Sequence, residues 1–361
     1  MHKLGKKVYL TFNLFLHNKD VAQLENFSKI IKTLYPDGII ISDPGVFQHL
    51  KKEISQIPIH ISTQANICSW LTVNFWKNLG ADLCVLGREL SFLEVKEIRE
   101  RCRDIKLEIF IHGSMCISYS GRCLISAFMA LRSANQGLCA HSCRWKYKSK
   151  MLLEEELRPD EYLEVEEDDK GSYILNSRDL CPMPELDKIL KTNFDSLKIE
   201  GRNKSEYYVA QTARVYRKAI DDYFDNPDDW QSEKYIKELT VLQNRGYTLG
   251  FFNGKPGEES QNYIDISSKS NYRNAGLVKN NADGFLTIEL RHKLKKGDEI
   301  ELLSPFQFIP VKLTLNKIYN KDNNLPVEEL APGKANQSIK IPLQGDISVF
   351  PENTIARIKI A

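Results

Sequence analysis

The sequence predicts an α/β protein with a TIM-barrel-like parallel sheet, followed by a smaller antiparallel β-barrel domain. In the first part of the chain, apolar β-branched runs alternate with amphipathic stretches, the pattern of strand–helix repeats. Beyond residue 273 the runs become short, alternate with period two and are separated by turn signals. A chain of 361 residues is long enough to form both domains.

Six segments are predicted to form the strands of the parallel sheet. They are rich in Val, Ile, Leu and Phe, which is typical of strands buried on both faces. In chain order they are residues 6–13, 38–43, 59–64, 82–89, 106–113 and 196–202. Since a closed TIM-type barrel has eight strands, six predict an incomplete barrel.

Changes of composition predict the domain limits. We expect residues 1–225 to form the barrel-like domain, with a cysteine-rich excursion at 114–172. Within it, Asp-Lys-Gly at 169–171 predicts the turn of a β-hairpin. A polar helical linker is expected at 226–272, and the small β-barrel at 273–361.

The overall charge and hydropathy exclude some function classes. The chain has 50 basic and 48 acidic residues, so its net charge of +2 gives no global nucleic-acid signature. No apolar run approaches the length of a membrane span. Eight cysteines without a secretion-type signal predict a cytoplasmic protein with reduced thiols.

Half of the cysteines lie in one short stretch, and these four are candidate metal ligands. They are Cys116, Cys123, Cys139 and Cys143, separated by six, fifteen and three residues. Thiols this dense in a reducing compartment favour a metal or cluster over disulfides. The spacing matches neither a zinc ribbon nor a ferredoxin run. The residues alone therefore leave open an iron–sulfur cluster, a zinc site or buried thiols.

Charged residues at strand ends are candidate catalytic groups. His112 ends the fifth strand and suits an acid–base or hydrogen-bonding role, with a purely structural histidine as the alternative. Lys198, Glu200 and Arg202 alternate along the sixth, which would place them on one face. Buried charges require partners or a site, so we favour catalysis or substrate binding over a structural ion network.

Two arginines adjoin candidate ligands and are candidate cofactor-binding residues. Arg122 precedes Cys123, and Arg144 follows Cys143. A cationic neighbour stabilises a thiolate and tunes a bound metal. The same guanidinium groups would also pair with phosphate or with a small dicarboxylate.

Seven ordered motifs carry a family resemblance. They are SDPG at 42–45, STQAN at 62–66, GRELS at 87–91, FIHGSMCISYSGRCLIS at 110–126, NQGLCAHSCRW at 135–145, NSRDL at 176–180 and LKIEGRNKSEYYVAQTARVYRKAID at 197–221. The chain resembles the collagenase-like peptidase family, and within it the bacterial tRNA uridine 5-hydroxylation proteins.

The resemblance implies a fold, a cofactor and a reaction. It implies a 4Fe-4S cluster held by Cys116, Cys123, Cys139 and Cys143. The implied reaction forms 5-hydroxyuridine at the wobble position of tRNA, with prephenate as co-substrate and a redox partner protein. It also implies that two further barrel strands precede the segment at 6–13 in relatives of this kind.

Two other functions are set beside this one. The family's peptidase name implies a hydrolase, but the sequence has neither a His-Glu-x-x-His zinc motif nor a Gly-x-Ser-x-Gly elbow. A non-catalytic RNA-binding or scaffold protein is the third candidate, and it predicts tRNA binding that does not depend on the cysteines.

Overall fold

Two separate sheets organise the protein. The computed structural model describes residues 1–13, 16–115, 130, 139–144, 153–154, 162–163, 167–168, 171–172, 177–254, 260, 270–333, 337–343 and 349–360. The first compact unit comprises Met1–Arg202 and Arg245–Ser268. The second comprises Asn203–Asn244 and Lys269–Ala361.

The described part of the first unit forms a sheet of eight strands. They are β1 (Tyr9–Phe12), β2 (Gly38–Ile41), β3 (Ile59–Ile61), β4 (Leu83–Val85), β5 (Lys106–Ser114), β6 (Asp179–Leu180), β7 (Ser196–Ile199) and β8 (Tyr247–Thr248). β1 to β5 pair in chain order, all parallel, and β7 pairs parallel with β5. These are the six predicted strands, so the prediction of a six-stranded parallel arrangement is confirmed.

The predicted barrel is not closed by the described strands. Among them, β1 pairs only with β2, and β7 pairs only with β5. β6 joins the end of β5 in antiparallel fashion and pairs parallel with β8, which makes the sheet mixed. The described fold is therefore a mixed sheet with a parallel core, and a complete barrel stays a prediction.

Helices follow the parallel strands, as the alternating pattern predicts. They are α1 (Asn18–Val21), α2 (Leu24–Leu34), α3 (Pro44–Glu53), α4 (Trp70–Asn78), α5 (Phe92–Arg101) and α6 (Leu186–Lys191). Asp43 caps α3 by accepting the backbone N–H of Val46, and Pro44 occupies its first turn. Ser91 and Glu94 form a capping box at the start of α5. Local sequence thus fixes where the helices begin.

Strand periodicity places an apolar layer on one side of the parallel sheet. Ile39 and Ile41 of β2 and Ile59 and Ile61 of β3 are completely buried. Successive side chains of a strand point to opposite faces, so the face opposite these isoleucines carries His60, which is half-buried. The second face is the one on which charged groups occur.

Short hairpins lie within the cysteine-rich excursion. Leu153–Glu154 pairs with Tyr162–Leu163, and Glu167–Asp168 pairs with Gly171–Ser172, both antiparallel. The second pair confirms the hairpin predicted at Asp-Lys-Gly. A single 3-10 turn, Ser142–Arg144, contains the last cysteine of the stretch.

The second unit contains the predicted antiparallel strands. They are β9 (Tyr272–Ala282), β10 (Phe285–Leu290), β11 (Leu294–Lys295), β12 (Glu299–Leu303), β13 (Val311–Thr314), β14 (Ile318–Asn320), β15 (Pro326–Val327), β16 (Glu329–Leu330), β17 (Ser338–Pro342) and β18 (Ile355–Lys359). Eight form one sheet in the order β13-β12-β18-β9-β10-β17-β14-β15, while β11 pairs with β16. Register shifts in β9 increase the local twist. Among the described strands, β13 and β15 end the sheet, so closure into a barrel is not observed.

Two helices, α7 (Glu206–Asp225) and α8 (Glu233–Thr240), belong to the second unit. Buried Arg357 of β18 donates from Nε to Glu301 at 2.7 Å and from both terminal nitrogens to Glu238 of α8 at 3.0 and 3.1 Å. Gln211 of α7 donates to the same Glu238 at 2.8 Å. Burial alone would lower the pKa of Arg357, but the carboxylates outweigh it and raise that pKa.

This network explains why α7 belongs to the second unit, although the predicted limits place it in the first domain. The sequence predicts residues 1–225 as one domain, whereas the first compact unit stops at Arg202 and resumes at Arg245. A buried guanidinium requires carboxylate partners, and these partners connect the two helices to the antiparallel sheet.

None of the helices in the described ranges combines the length and apolar character that crossing a membrane requires.

Candidate functional site

The predicted residues of β5 and β7 meet at the carboxyl ends of these strands. His112 is completely buried, and its carbonyl accepts the backbone N–H of Glu200 at 2.9 Å. The carboxylate of Glu200 accepts the backbone N–H of Arg202 at 2.8 Å. Gly113 has φ +127°, and a Cβ there would lie 2.7 Å from both Cβ and O of Glu200. Only glycine allows this close approach.

Lys198 forms an ion pair with a glutamate of the neighbouring strand β5. Its Nζ lies 2.7 Å from Oε1 of Glu108 on β5, and Ser196 donates to Oε2 of the same carboxylate at 2.6 Å. The ammonium also lies 5.5 Å from the ring centroid of Phe110. Because only 27% of the Lys198 side chain and 14% of that of Glu108 are exposed, the pair is largely shielded from water.

The predicted alternation does not continue to Arg202. The register with β5 shifts between Lys198 and Ile199, and β7 ends at Ile199. Glu200 therefore follows the strand, and Arg202 is exposed in the turn beyond it. Only Lys198 therefore lies on the strand, while Glu200 and Arg202 lie in the segment that follows it. The functional roles of the three residues stay predictions.

A histidine of β3 shares the electrostatic environment of this ion pair. Burial lowers the pKa of His60, while Glu108 and Asp82 act in the opposite direction and Lys198 adds to the lowering. Its ring lies 5.0 Å from that of Tyr9 on β1. The lowered pKa favours a neutral imidazole at pH 7, which can both donate and accept a hydrogen bond.

Small polar side chains line the carboxyl ends of β1, β2 and β3. Ser42 donates to the carbonyl of Asn13 at 3.0 Å, and Asn13 donates through Nδ2 to Ser62 at 3.2 Å. All three residues are buried. Carboxyl ends of parallel strands are where α/β folds place ligand-binding groups, and these side chains are uncharged hydrogen-bonding groups.

Two further arginines lie at the same level of the sheet. Arg88 donates to the carbonyl of Ser114 at 2.6 Å, and its guanidinium lies 4.9 Å from the ring centroid of Phe110. Arg245 forms an ion pair with Asp179 of β6, whose side chain is completely buried. Beside that pair, the rings of His112 and Tyr247 lie 5.4 Å apart. Arg88 is thus anchored to the backbone, whereas the charge of Arg245 is balanced by Asp179.

Two of the four candidate metal ligands lie in described parts of the chain. Cys139 accepts the backbone N–H of His141 through Sγ at 3.4 Å, and His141 adopts the left-handed region at φ 54°. Cys143 lies in the following 3-10 turn, and neither thiol is in a disulfide. A backbone N–H donated to cysteine sulfur is a feature that tunes the sulfur of metal-binding cysteines.

The other candidates of the cysteine stretch fall elsewhere. Cys116, Cys123 and Arg122 lie outside the described residues, and for Arg144 only the backbone is described. Within the described parts, no three His, Cys, Asp or Glu side chains converge as a metal site. The four-cysteine ligand set therefore stays a prediction.

The four cysteines outside the stretch are buried, except Cys68, which is half-buried. Burial, together with Glu89 and Glu94, raises the pKa of Cys68 to about 11. Burial and the neighbouring Cys102 raise the pKa of Cys84 to about 12. At neutral pH both remain protonated, and a protonated thiol is a poor nucleophile and metal ligand. Cys181, next to β6, is also buried.

Sequence reasoning missed several charged residues of this site. Glu108 could have been found, because a glutamate within an otherwise apolar strand indicates a buried partner. Asp179 and Arg245 carry no comparable signal, since 66 residues separate them in the chain. His60 could also have been found, because it alternates with two isoleucines and so lies on the opposite face of the strand.

Comparison with family models covers almost the whole chain. Residues 1–262 match the model described as Peptidase family U32. Residues 270–357 match the model described as Peptidase family U32 C-terminal domain.

Named relatives extend across both matched regions. A tRNA hydroxylation protein P1 of Bacillus subtilis is 37% identical over 99% of this chain and 82% of its own length. A tRNA hydroxylation protein P of Haemophilus influenzae is 36% identical over 92% of this chain and 80% of its own. A protein named collagenase, from Porphyromonas gingivalis, is 28% identical over 98% of this chain and 84% of its own.

Proposed function

Because this chain belongs to peptidase family U32, as its motifs predicted, we propose that it hydroxylates the wobble uridine of tRNA to 5-hydroxyuridine. One observation carries the proposal: relatives named for tRNA hydroxylation are 36% and 37% identical to it over 92% and 99% of its length. Such coverage includes the cysteine stretch and the strand ends of the first unit. Its substrate would place it in the cytoplasm.

The proposed cofactor is a 4Fe-4S cluster held by Cys116, Cys123, Cys139 and Cys143. The hydrogen bond from His141 to the sulfur of Cys139 supports this assignment, since such bonds stabilise thiolate ligands. When bound, the cluster would transfer electrons that a redox partner protein supplies. Arg122 and Arg144 adjoin two of the ligands in sequence and are proposed to stabilise the thiolates.

The strand ends of the first unit are proposed to bind and orient the substrates. Lys198, held by Glu108, and Arg202, exposed at the turn, offer cations for tRNA phosphate or for the two carboxylates of prephenate. His112 and Glu200, joined through the backbone, would hold or move a proton beside the uracil ring.

The proposal is tested by metal analysis joined to nucleoside analysis. Protein purified without oxygen should contain about four iron and four sulfide per chain. Cys123→Ala should lose both and fail to restore 5-hydroxyuridine in a deletion strain. Cys68→Ser, a change at a protonated thiol outside the stretch, is the matched control and should retain both. Full 5-hydroxyuridine formation by Cys123→Ala would contradict the proposal.

A peptidase is the second candidate, favoured by the likeness to the protein named collagenase. It predicts stoichiometric zinc or no metal, and cleavage of gelatin that the Cys123→Ala variant retains. A colourless protein that digests gelatin and leaves tRNA nucleosides unchanged would favour this candidate. tRNA binding without modification, unaffected by Cys123→Ala, would favour the non-catalytic RNA-binding protein.

A further inference from the structure

The loop between β12 and β13 exposes two large apolar side chains. This apolar loop, residues 304–310, reads Ser-Pro-Phe-Gln-Phe-Ile-Pro. Phe306 is 72% exposed and Ile309 is 79% exposed, whereas Phe308 between them is half-buried. Single apolar residues on a surface are common, so the conformation of the loop decides whether this exposure has a purpose.

One arginine of α7 fixes the backbone of the apolar loop. Arg214 donates from Nε to the carbonyl of Ser304 at 3.1 Å and from Nη2 to those of Gln307 at 2.8 Å and Phe308 at 2.6 Å. Its guanidinium also lies 5.3 Å from the ring centroid of Phe308. Three carbonyls bound by one cation hold the loop in a single shape.

The inward-facing residues of the apolar loop add further anchors. The ring of Phe308 lies 5.5 Å from that of Tyr235 on α8. Ser304 donates to the carbonyl of Val349 at 2.6 Å and accepts the backbone N–H of Phe306 at 3.1 Å. Prolines at both ends of the loop restrict the backbone further. Phe306 and Ile309 are therefore held in water by a rigid support, and binding through them costs little ordering entropy.

We propose that the apolar loop is a contact for an unpaired base of tRNA, with Phe306 stacking on the base and Ile309 packing beside it. This inference rests on the proposed function. Unpaired bases have an apolar face and are bound by stacking on exposed aromatic rings. The second unit, residues 203–244 and 269–361, contains 20 Lys and Arg against 18 Asp and Glu, so its overall charge does not oppose a polyanionic ligand.

The size of the exposed surface favours a base over a protein partner. Two apolar side chains together offer at most a few hundred Å². A stable protein–protein interface, including one between two copies of this chain, buries about 800 Å² on each partner. One base and its sugar match the smaller area.

The test is the affinity of purified full-length variants for a tRNA transcript, measured by fluorescence anisotropy at fixed salt. Phe306→Ala should bind about tenfold more weakly, the loss of one base–aromatic stack. Phe306→Trp should retain affinity, and Phe306→Leu should resemble Phe306→Ala. Leu325→Ala is the matched control, because Leu325 is 59% exposed on another turn of the same unit and should change nothing.

Two further measurements separate stacking on an unpaired base from charge and from duplex binding. The slope of the logarithm of tRNA affinity against the logarithm of salt concentration should be the same for Phe306→Ala and the parent, because base stacking neutralises no phosphate. A blunt duplex RNA should bind both equally.

Unchanged tRNA affinity in Phe306→Ala would overturn the inference and leave the proposed function standing if 5-hydroxyuridine still forms. A change of oligomeric state in Phe306→Ala without loss of affinity would also overturn it, in favour of a protein contact. Absence of 5-hydroxyuridine in cells rescued with the parent chain would instead count against the proposed function itself.

Discussion

Lys198 on β7 donates a hydrogen bond of 2.7 Å to Glu108 on β5, across 90 residues of sequence. The lysine predicted as a site residue is thus oriented by a carboxylate of the neighbouring strand. The ammonium carries three N–H donors, and the bond to Glu108 uses one of them.

Loss of this lysine should destabilise the first unit, because Glu108 would remain shielded without its counter-ion. We expect Lys198→Met to lower the free energy of unfolding by about 2 kcal/mol, measured by urea denaturation. Lys191→Met is the control: that side chain is 64% exposed, and losing its pair with Asp187 should cost less than about 0.5 kcal/mol. Equal losses in the two variants would show that the Lys198 pair is no more shielded than a surface pair.

A side chain at position 113 should disturb the exit of β5. Gly113→Ala combines a positive φ with a Cβ placed 2.7 Å from backbone O of Glu200, so we expect a loss of about 3 kcal/mol in thermal or urea unfolding. Gly254→Ala has φ +107° but nothing within 4 Å of the new Cβ, and should cost only about 1 kcal/mol. A smaller effect at 113 than at 254 would contradict the close approach to Glu200.

The buried guanidinium of Arg357 should be essential for the second unit. Arg357→Met leaves Glu238 and Glu301 without their common partner, so we expect a loss of about 3–5 kcal/mol. Arg217→Met removes an exposed pair with Asp221 and should lie within about 0.5 kcal/mol of the parent. The comparison requires only denaturant curves, and similar midpoints for both variants would refute the role of the network.

One carboxylate gives the second unit a defined acid sensitivity. Burial alone would raise the pKa of Asp222, but hydrogen bonds from Lys218, Tyr235 and Lys234 outweigh it and lower that pKa to about 2. Since an unfolded Asp titrates near 3.9, its contribution is complete above about pH 4 and is lost as pH falls through 2.

Asp222→Asn should therefore be less stable than the parent by roughly 1–2 kcal/mol at pH 6, and the difference should shrink towards zero near pH 2. Urea unfolding followed by circular dichroism between pH 2 and 6 measures it. Asp221→Asn, a neighbouring change at an exposed carboxylate, is the control and should alter the free energy of unfolding by less than about 0.5 kcal/mol at pH 6. A difference that stays constant across this range would exclude the titration.

The strands of the parallel core were predictable because their signal is local. Each is a run of β-branched and apolar residues, and five of the six predicted segments contain their observed strand, as 38–43 contains Gly38–Ile41; β5 extends one residue beyond its segment, to Ser114. β6 and β8 gave no such signal. They have two residues each and form only because Asp179–Leu180 pairs with Tyr247–Thr248 and with the end of β5. Pairing over that separation leaves no periodicity to detect.

The candidate site divides in the same way. That His112 and Glu200 meet at one edge follows from strand ends in a parallel sheet. The shift of register after Lys198 does not follow from the sequence, because an apparent alternation continues to Arg202. The contact between α7 and the apolar loop was equally hard to predict. The amphipathic pattern of α7 predicts a helix, but the carbonyls that accept from Arg214 lie more than 85 residues away in the chain.

The chain passes from one unit to the other three times, after Arg202, after Asn244 and after Ser268. Synthesis on the ribosome therefore produces α7 and α8 before β8, the strand on which β6 depends. The helices in turn must wait for Glu301 and Arg357, which are synthesised after both helices. Neither unit can therefore complete its folding while only residues 1–244 have been made, and a nonsense codon anywhere before Arg357 should leave Glu238 without its guanidinium partner.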